Sequence, residues 1–408
     1  MPIGSLPVPP PFSPGICGRV LLQQQGTHRC LHGHPWIYRS EVAQVEGDPQ
    51  DGDCVEARGA RGDRIGCGIW SGCSQIAVRL YSRREEVLDS TFLSRQLDQA
   101  LAYRNALGLL KPHDADAVRL VWSESDGLPG LVADRYQDWM VVQFLTSGME
   151  RRSREIVSLL REKTGLSQVV LRNDAPVRLQ EKLPLEKKVL FGSYHDPLWI
   201  RQNGVLLPAR LLEGQKTGLY LDQGANYREV RSLASGRRVL DLFSYQGAFS
   251  LFCSAAGASS CTAVDQSATA LQSGRAAAEK AGAAINWVEE NVFDWLRRAQ
   301  QEKQQYDLII LDPPSFTKTK AQRAAALRGY HELHLRALRL LASGGLLASF
   351  CCSHHFGLGE WKELIGRASW EANVTLRLRK TLGQSLDHPI LPTIPETEYL
   401  KGCLVERE

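Results

Sequence analysis

Arg238-Val239-Leu240-Asp241-Leu242-Phe243-Ser244-Tyr245-Gln246-Gly247 decides how this chain folds. An apolar run carrying one carboxylate stops at a polar turn, and the turn's glycine opens a helix-like stretch over residues 247–256. The pattern then repeats. Strand-like runs at 261–264, 285–289, 307–311 and 345–350 alternate with helix-like runs at 268–281, 292–300 and 322–341. Such alternation predicts an α/β fold with a doubly wound, Rossmann-like parallel sheet across residues 201–408.

Ligands of an open parallel sheet bind beyond the carboxyl ends of its strands. The residues after each strand are therefore the candidates for chemistry. After the first come Phe243, Ser244, Tyr245 and Gly247, the glycine allowing close backbone approach to a ligand. The second strand ends at Asp265, where a carboxylate can accept hydrogen bonds from ribose hydroxyls. Asn291 follows the third, a polar side chain suited to an adenine edge. A dinucleotide would want a G-x-G-x-x-G turn to seat its pyrophosphate on the helix N-terminus. With Gly247 as its one glycine, the turn suits S-adenosylmethionine, which carries no phosphate.

Two more strand ends carry reactive groups: Leu311-Asp312-Pro313-Pro314 and Phe350-Cys351-Cys352-Ser353. Carbon 5 of cytosine is a poor nucleophile until a thiolate adds to carbon 6. An acid at ring nitrogen 3 stabilises that addition, and a base must later remove the carbon 5 proton. Asp312 is the predicted ring-nitrogen partner, presented by Pro313 and Pro314. Strand alternation places Phe350 and Cys352 on one face and Ser349 and Cys351 on the other. The residues alone leave open which thiol reacts, and free cysteines are common in cores. The basic stretch with Lys318, Lys320 and Arg323 is a candidate grip on substrate RNA phosphates beside Pro313 and Pro314, in competition with a solvated helix face. His331 and His334 are expected at the surface, and His354 and His355 in a loop.

Upstream, the composition changes. Residues 1–17 are proline-rich without a basic, apolar leader and are expected to be a loose tail. Residues 18–84 are punctuated by Gly and Asp between short strand-like runs, as in a small barrel with an RNA-contacting face. Residues 85–200 mix a helix at 88–110 with grouped strands, an α+β arrangement. Ten cysteines without a C-x-x-C pair point to reduced thiols in a cytoplasmic protein, with neither disulfide frame nor zinc site. No apolar stretch reaches membrane-spanning length. The net charge of +4 says little about partners.

The chain resembles the RlmI-type large-subunit ribosomal RNA cytosine-5 methyltransferases from about residue 18 onward. The resemblance rests on Glu124-Ser125-Asp126-Gly127-Leu128-Pro129-Gly130-Leu131, Lys216-Thr217-Gly218-Leu219-Tyr220-Leu221-Asp222-Gln223 and Phe243-Ser244-Tyr245-Gln246-Gly247. It continues in Asp312-Pro313-Pro314, Phe350-Cys351-Cys352-Ser353, Asp387-His388-Pro389 and Tyr399-Leu400-Lys401-Gly402. It implies a PUA-like RNA-binding domain, an EEHEE-type middle domain and a class I methyltransferase domain using S-adenosylmethionine. It also implies Cys352 as nucleophile, and a cofactor held by Phe243 to Gly247, Asp265, Asn291 and Asp312, with Gln223 at its methionine end. Asn291 stands where the family more often has Asp, and Cys351 is an unusual neighbour for the nucleophile.

The resulting expectation is methyl transfer to carbon 5 of a cytosine in 23S rRNA, free or in a large-subunit assembly intermediate. No metal and no membrane are expected as partners, and a homodimer remains an option. An RNA N-methyltransferase is the nearest rival, although Ser315 displaces Phe316 by one position from an Asp-Pro-Pro-aromatic sequence. A non-catalytic rRNA-binding assembly protein and a nicotinamide-dependent oxidoreductase are the others.

Overall fold

A computed structural model describes residues 15–110, 116–317 and 322–408. The expected tail, residues 1–17, lies mostly outside these. The chain divides into two compact units. The first comprises residues up to Ile200 together with Ala209–Leu221 and Leu386–Thr397; the second is Arg201–Pro208, Asp222–Ser385 and Glu398–Glu408.

The first unit holds two sheets. Strands β1 (Ile16–Leu22), β2 (Trp36–Tyr38), β3 (Val42–Gly47), β4 (Cys54–Arg58), β5 (Arg64–Trp70) and β6 (Ile76–Ser82) form the first, with helix α1 (Gln24–Leu31) after β1. Their order is β2-β6-β5-β4-β1-β3. Pairing is antiparallel except for β1 with β4. Gly68 sits where a Cβ would lie 2.4 Å from the Val78 side chain, so the backbone approaches its neighbour closely there.

Helix α2 (Ser90–Ala106) is followed by β7 (Ala117–Trp122), β8 (Leu131–Tyr136) and β9 (Trp139–Phe144). Helices α3 (Ser147–Arg151) and α4 (Ser153–Thr164) then lead to β10 (Gln168–Asn173) and β11 (Glu186–Phe191). The second sheet runs β11-β10-β9-β8-β7, one strand more than the EEHEE pattern names. Its helices cross between parallel neighbours β9 and β10, as a parallel pair requires. The hairpin β12 (Leu198–Gln202) and β13 (Val205–Ala209) follows.

Three of the resemblance stretches meet in a buried ionic network in this unit. Arg119 grips Asp134 through two bonds of 2.8 and 2.7 Å. Thr217 donates to the same Asp134 carboxylate at 2.5 Å. Asp387 accepts the Arg119 backbone N–H at 2.9 Å, while Arg104 donates to the Asp387 carbonyl at 2.8 Å and to Asp126 at 2.5 Å. Buried charges persist only when paired and hydrogen-bonded, and every bond here supplies a partner.

The second unit begins its regular part with α5 (Gly224–Ser232). Then come β14 (Arg238–Leu242), α6 (Ala248–Ala255), β15 (Ser260–Asp265), α7 (Ala268–Ala281), β16 (Asn286–Glu289), α8 (Val292–Gln301), β17 (Tyr306–Leu311), α9 (Arg323–Leu340) and β18 (Leu341–Cys351). The chain closes with α10 (Leu358–Ala372), β19 (Leu376–Gly383) and β20 (Lys401–Arg407). The order is β16-β15-β14-β17-β18-β20-β19. The first five strands are parallel, as expected. The last strand, β20, slots antiparallel between β18 and β19, an insertion that helix–strand alternation does not signal. Strand order reverses at β14 and β17, so the crevice lies beyond Leu242 and Leu311.

Candidate active site

The turn after β14 is built under strain. Phe243 (φ 60°), Tyr245 (φ 53°) and Gly247 (φ 67°) all lie in the left-handed region. For a non-glycine residue that costs about 1–3 kcal/mol, and such positions cluster where a ligand is clamped. Asp265, at the end of β15, accepts the Tyr245 N–H at 2.8 Å and the Ser267 N–H at 2.8 Å. Each bond goes to a different carboxylate oxygen, so acceptor capacity remains for a ribose. A Cβ at Gly247 would lie 2.4 Å from the Trp287 ring.

Two buried polar atoms at this end, Ser244 Oγ and Asp241 Oδ1, have no protein partner among the described residues. Buried polar groups are normally satisfied, so both atoms have hydrogen-bonding capacity left for a polar ligand or a water. Burial pushes the Asp241 carboxyl up to about 7. Bonds from Ser250 pull it down, and the Asp312 and Asp265 charges push it further up. Asp241 is a site residue the sequence reading passed over; its signal was one carboxylate within an apolar strand. Strained turn, ribose-competent carboxylate and orphaned polar atoms together fit a nucleoside cofactor without phosphates. Asn291, expected at the adenine edge, is the N-cap of α8: its Oδ1 accepts the Phe293 N–H at 2.9 Å. That bond uses the oxygen and leaves the amide group to other partners.

Asp312 stands one residue beyond β17. Gln223 Nε2 donates to its carboxylate at 2.9 Å, and Gln223 Oε1 accepts from Asn226 at 2.6 Å. Both ends of the Gln223 amide are thereby engaged with protein. The following loop is pinned by Tyr330, whose hydroxyl donates to the Pro314 carbonyl at 3.2 Å and accepts the Phe316 N–H at 3.0 Å. Pro313 is buried and Pro314 exposed. Lys318 and Lys320 lie outside the described residues. Arg323 pairs with Glu360 of α10 and lies over the Phe356 ring at 5.2 Å, so its guanidinium is bound locally.

Strand β18 ends at Cys351, opposite Lys401, and Cys352 lies past the ladder. Along β18 the expected alternation holds for Ser349, which bonds His334 and Trp361, and Phe350, which stacks on Phe249 of α6. Cys351 is buried among core side chains, whereas Cys352 is half-buried. Burial pushes the Cys351 thiol up, against weaker lowering by the Ser353 N–H and the Lys401 charge. His354 is exposed and His355 half-buried in the turn that follows.

The expectation that His334 is a surface residue is overturned. The side chain is fully buried, bonding the Tyr330 carbonyl through Nδ1 and Ser349 Oγ through Nε2, each at 2.7 Å. A carbonyl can only accept, so Nδ1 carries the proton and Nε2 receives the Ser349 hydroxyl. Ser349 in turn accepts from Trp361 Nε1 at 3.1 Å. Burial pushes the imidazole down to about 4. Helical spacing alone could not reveal which face of α9 meets the sheet. His331 is partly covered, 3.3 Å from Glu371.

Among the described residues no group of three or more His, Cys, Asp or Glu is arranged to hold a metal, and no helix is long and apolar enough to cross a membrane. Among the described residues no disulfide joins any of the ten cysteines.

Residues 179–378 match the family model for S-adenosylmethionine-dependent methyltransferases, and residues 20–83 match that for PUA-like domains. The chain is 37% identical over 380 residues to ribosomal RNA large subunit methyltransferase I of Aeromonas salmonicida (strain A449), covering 92% of this chain and 96% of that protein. The Alteromonas mediterranea protein of the same name is 34% identical over 96% of this chain and 99% of its own length. A Streptococcus mutans structure described as a SAM-dependent methyltransferase superposes with a TM-score of 0.82 at 21% identity, covering 95% of this chain and 99% of that one. A methyltransferase complexed with SAH gives 0.83 at 21% identity over the same shares. These two share the fold. S-adenosylmethionine is thus the cofactor, and the chain belongs to the ribosomal RNA large subunit methyltransferase I family.

Proposed function

We propose that this protein methylates carbon 5 of a cytosine in 23S rRNA, with Cys352 as a covalent nucleophile and Asp312 as the ring-nitrogen partner. The observation that carries the reading is the contrast between the two thiols. Cys351 is sealed in the core, and Cys352 is half-buried just past the strand end, beside the strand whose end presents Asp312.

The Cys352 thiolate bonds to C6, and the C5=C6 electron pair moves into the ring. Asp312, held by Gln223, stabilises the charge at N3. Bound S-adenosylmethionine would supply an electrophilic methyl group, with which the pair released by addition at C6 forms the new C5–CH3 bond while the sulfur keeps the electrons of the old one. A base then takes the C5 proton, the pair restores C5=C6, and Cys352 leaves as thiolate. Phe243, Ser244, Tyr245, Gly247 and Asp265 hold the cofactor, with Asp241 and Asn291 at its margins. The 18–84 segment supplies RNA affinity. Pro313, Pro314, Lys318, Lys320 and Arg323 are the proposed RNA contacts; Arg323 must give up Glu360 to reach a phosphate. The substrate is the rRNA or an assembly particle in the cytoplasm.

RNA carrying 5-fluorocytidine tests the covalent step, because fluorine at C5 cannot be abstracted as a proton. A cofactor-dependent adduct on Cys352 is expected. Turnover of ordinary RNA without trapping, or a methyl group found on an exocyclic nitrogen after nuclease digestion, overturns the reading.

A further inference from the structure

The inserted strand β20 carries a buried cation against the thiol segment. Lys401 stands opposite Cys351 in the antiparallel ladder, so both side chains leave the sheet on one face. Lys401 is 6% exposed, and its Nζ donates to the Ser353 carbonyl at 3.0 Å. The Phe356 N–H reaches the same carbonyl at 3.5 Å. Two donors thus close the turn that begins at Cys352. A buried ammonium is costly unless negative charge or acceptors meet it. Burial pushes Lys401 down, while Cys351, Glu398 and Cys352 push it up, which makes both sulfurs its electrostatic neighbours.

We propose that Lys401 is a positioning residue for Cys352: it fixes the Ser353 carbonyl, one residue past the nucleophile, and brings a buried positive charge to that turn. This rests on the covalent reading above. The ionisable groups facing the pair come from every packed element. Asp312 after β17 and Glu398 before β20 both oppose a thiolate. Tyr330 of α9 feels both thiols, and His334 behind it is held neutral. His354 lies against Tyr399, with ring centroids 6.1 Å apart, and the His355 N–H bonds Ser353 Oγ at 3.3 Å. Lys401 is the cation built into the sheet itself. Before attack the Cys352 proton leaves to solvent, and Lys401 keeps its own.

Iodoacetamide labelling of the full-length protein, followed across pH and mapped to Cys352 by fragment ions, tests the role without methyl transfer. The wild-type midpoint should fall below the ordinary thiol value of about 8.5. Lys401→Gln keeps a donor for the Ser353 carbonyl and removes the charge. It should raise the midpoint by about one unit and slow labelling at neutral pH roughly tenfold. Lys401→Arg should restore both, and the acid limb of the methylation rate profile should move with them while KM for RNA stays put. A Lys401→Gln midpoint equal to wild type overturns the proposal. If no variant folds, a wild-type midpoint no lower than that of half-buried Cys73 overturns it equally. Methylation by Cys352→Ala sinks the covalent reading alone; unshifted labelling beside an inactive Cys352→Ala sinks Lys401 alone.

Discussion

Gln223 holds Asp312 through a 2.9 Å hydrogen bond, and Asn226 in turn holds Gln223. A bond to a charged acceptor is worth about 1.5–3 kcal/mol. Gln223→Ala should therefore lower kcat roughly ten- to a hundredfold, by letting Asp312 drift from the ring. Gln223→Glu, placing like charge against Asp312, should lower it further. Single-turnover methylation at saturating cofactor measures both.

Cys351→Ala should keep most of the activity and lose stability by about 1 kcal/mol, the order expected for removing a small buried group. Cys352→Ala should keep its stability and lose all turnover. Paired thermal melts and methylation assays separate the two, and an inactive Cys351→Ala beside an active Cys352→Ala reverses the choice of sulfur.

Gly247→Ala strains a left-handed residue and drives a methyl group into Trp287. Calorimetric titration should show cofactor binding weakened at least tenfold, with about 1–3 kcal/mol lost from the fold.

His334 links stability to acidity. Its folded pKa, about 4, lies below the unfolded value of 6.5, so the unfolded chain binds the extra proton between these limits. Stability from this group is complete above the unfolded value and drains away as pH falls toward about 4, amounting to a few kcal/mol. Asp241, whose carboxyl is pushed up to about 7, acts in the opposite sense in wild type and variant alike, so the check is differential: the urea midpoint of wild type should fall relative to that of His334→Gln as pH drops through that window.

Asp387→Ala leaves the Arg119 backbone N–H and the His388 ring without their shared carboxylate in a buried setting. Breaking such a network by removing one partner costs about 3–5 kcal/mol. Differential scanning calorimetry should register the drop.

The strand ends were legible because their chemistry is local. A carboxylate before two prolines, a thiol pair after an apolar run and a lone glycine turn announce themselves in sequence. What stayed hidden depended on partners distant along the chain. His334 needed Ser349 and Trp361 to be seen as core, and Asn291 needed the start of α8 to be seen as a cap. Lys401 needed β20 to be placed antiparallel to β18, which no helix–strand alternation encodes. Asp241 was visible as a residue, but its orphaned oxygen is a property of packing.

The exchange of chain between the compact units also constrains biogenesis. Asp134 needs Thr217, and Arg119 needs Asp387, so the amino-terminal unit waits for pieces translated long after its sheets. The ribosome must release the chain through Asp387 before that ionic lattice can close. A scissor placed after Ile200 would leave a fragment missing two of its own inlaid segments, not a separable module.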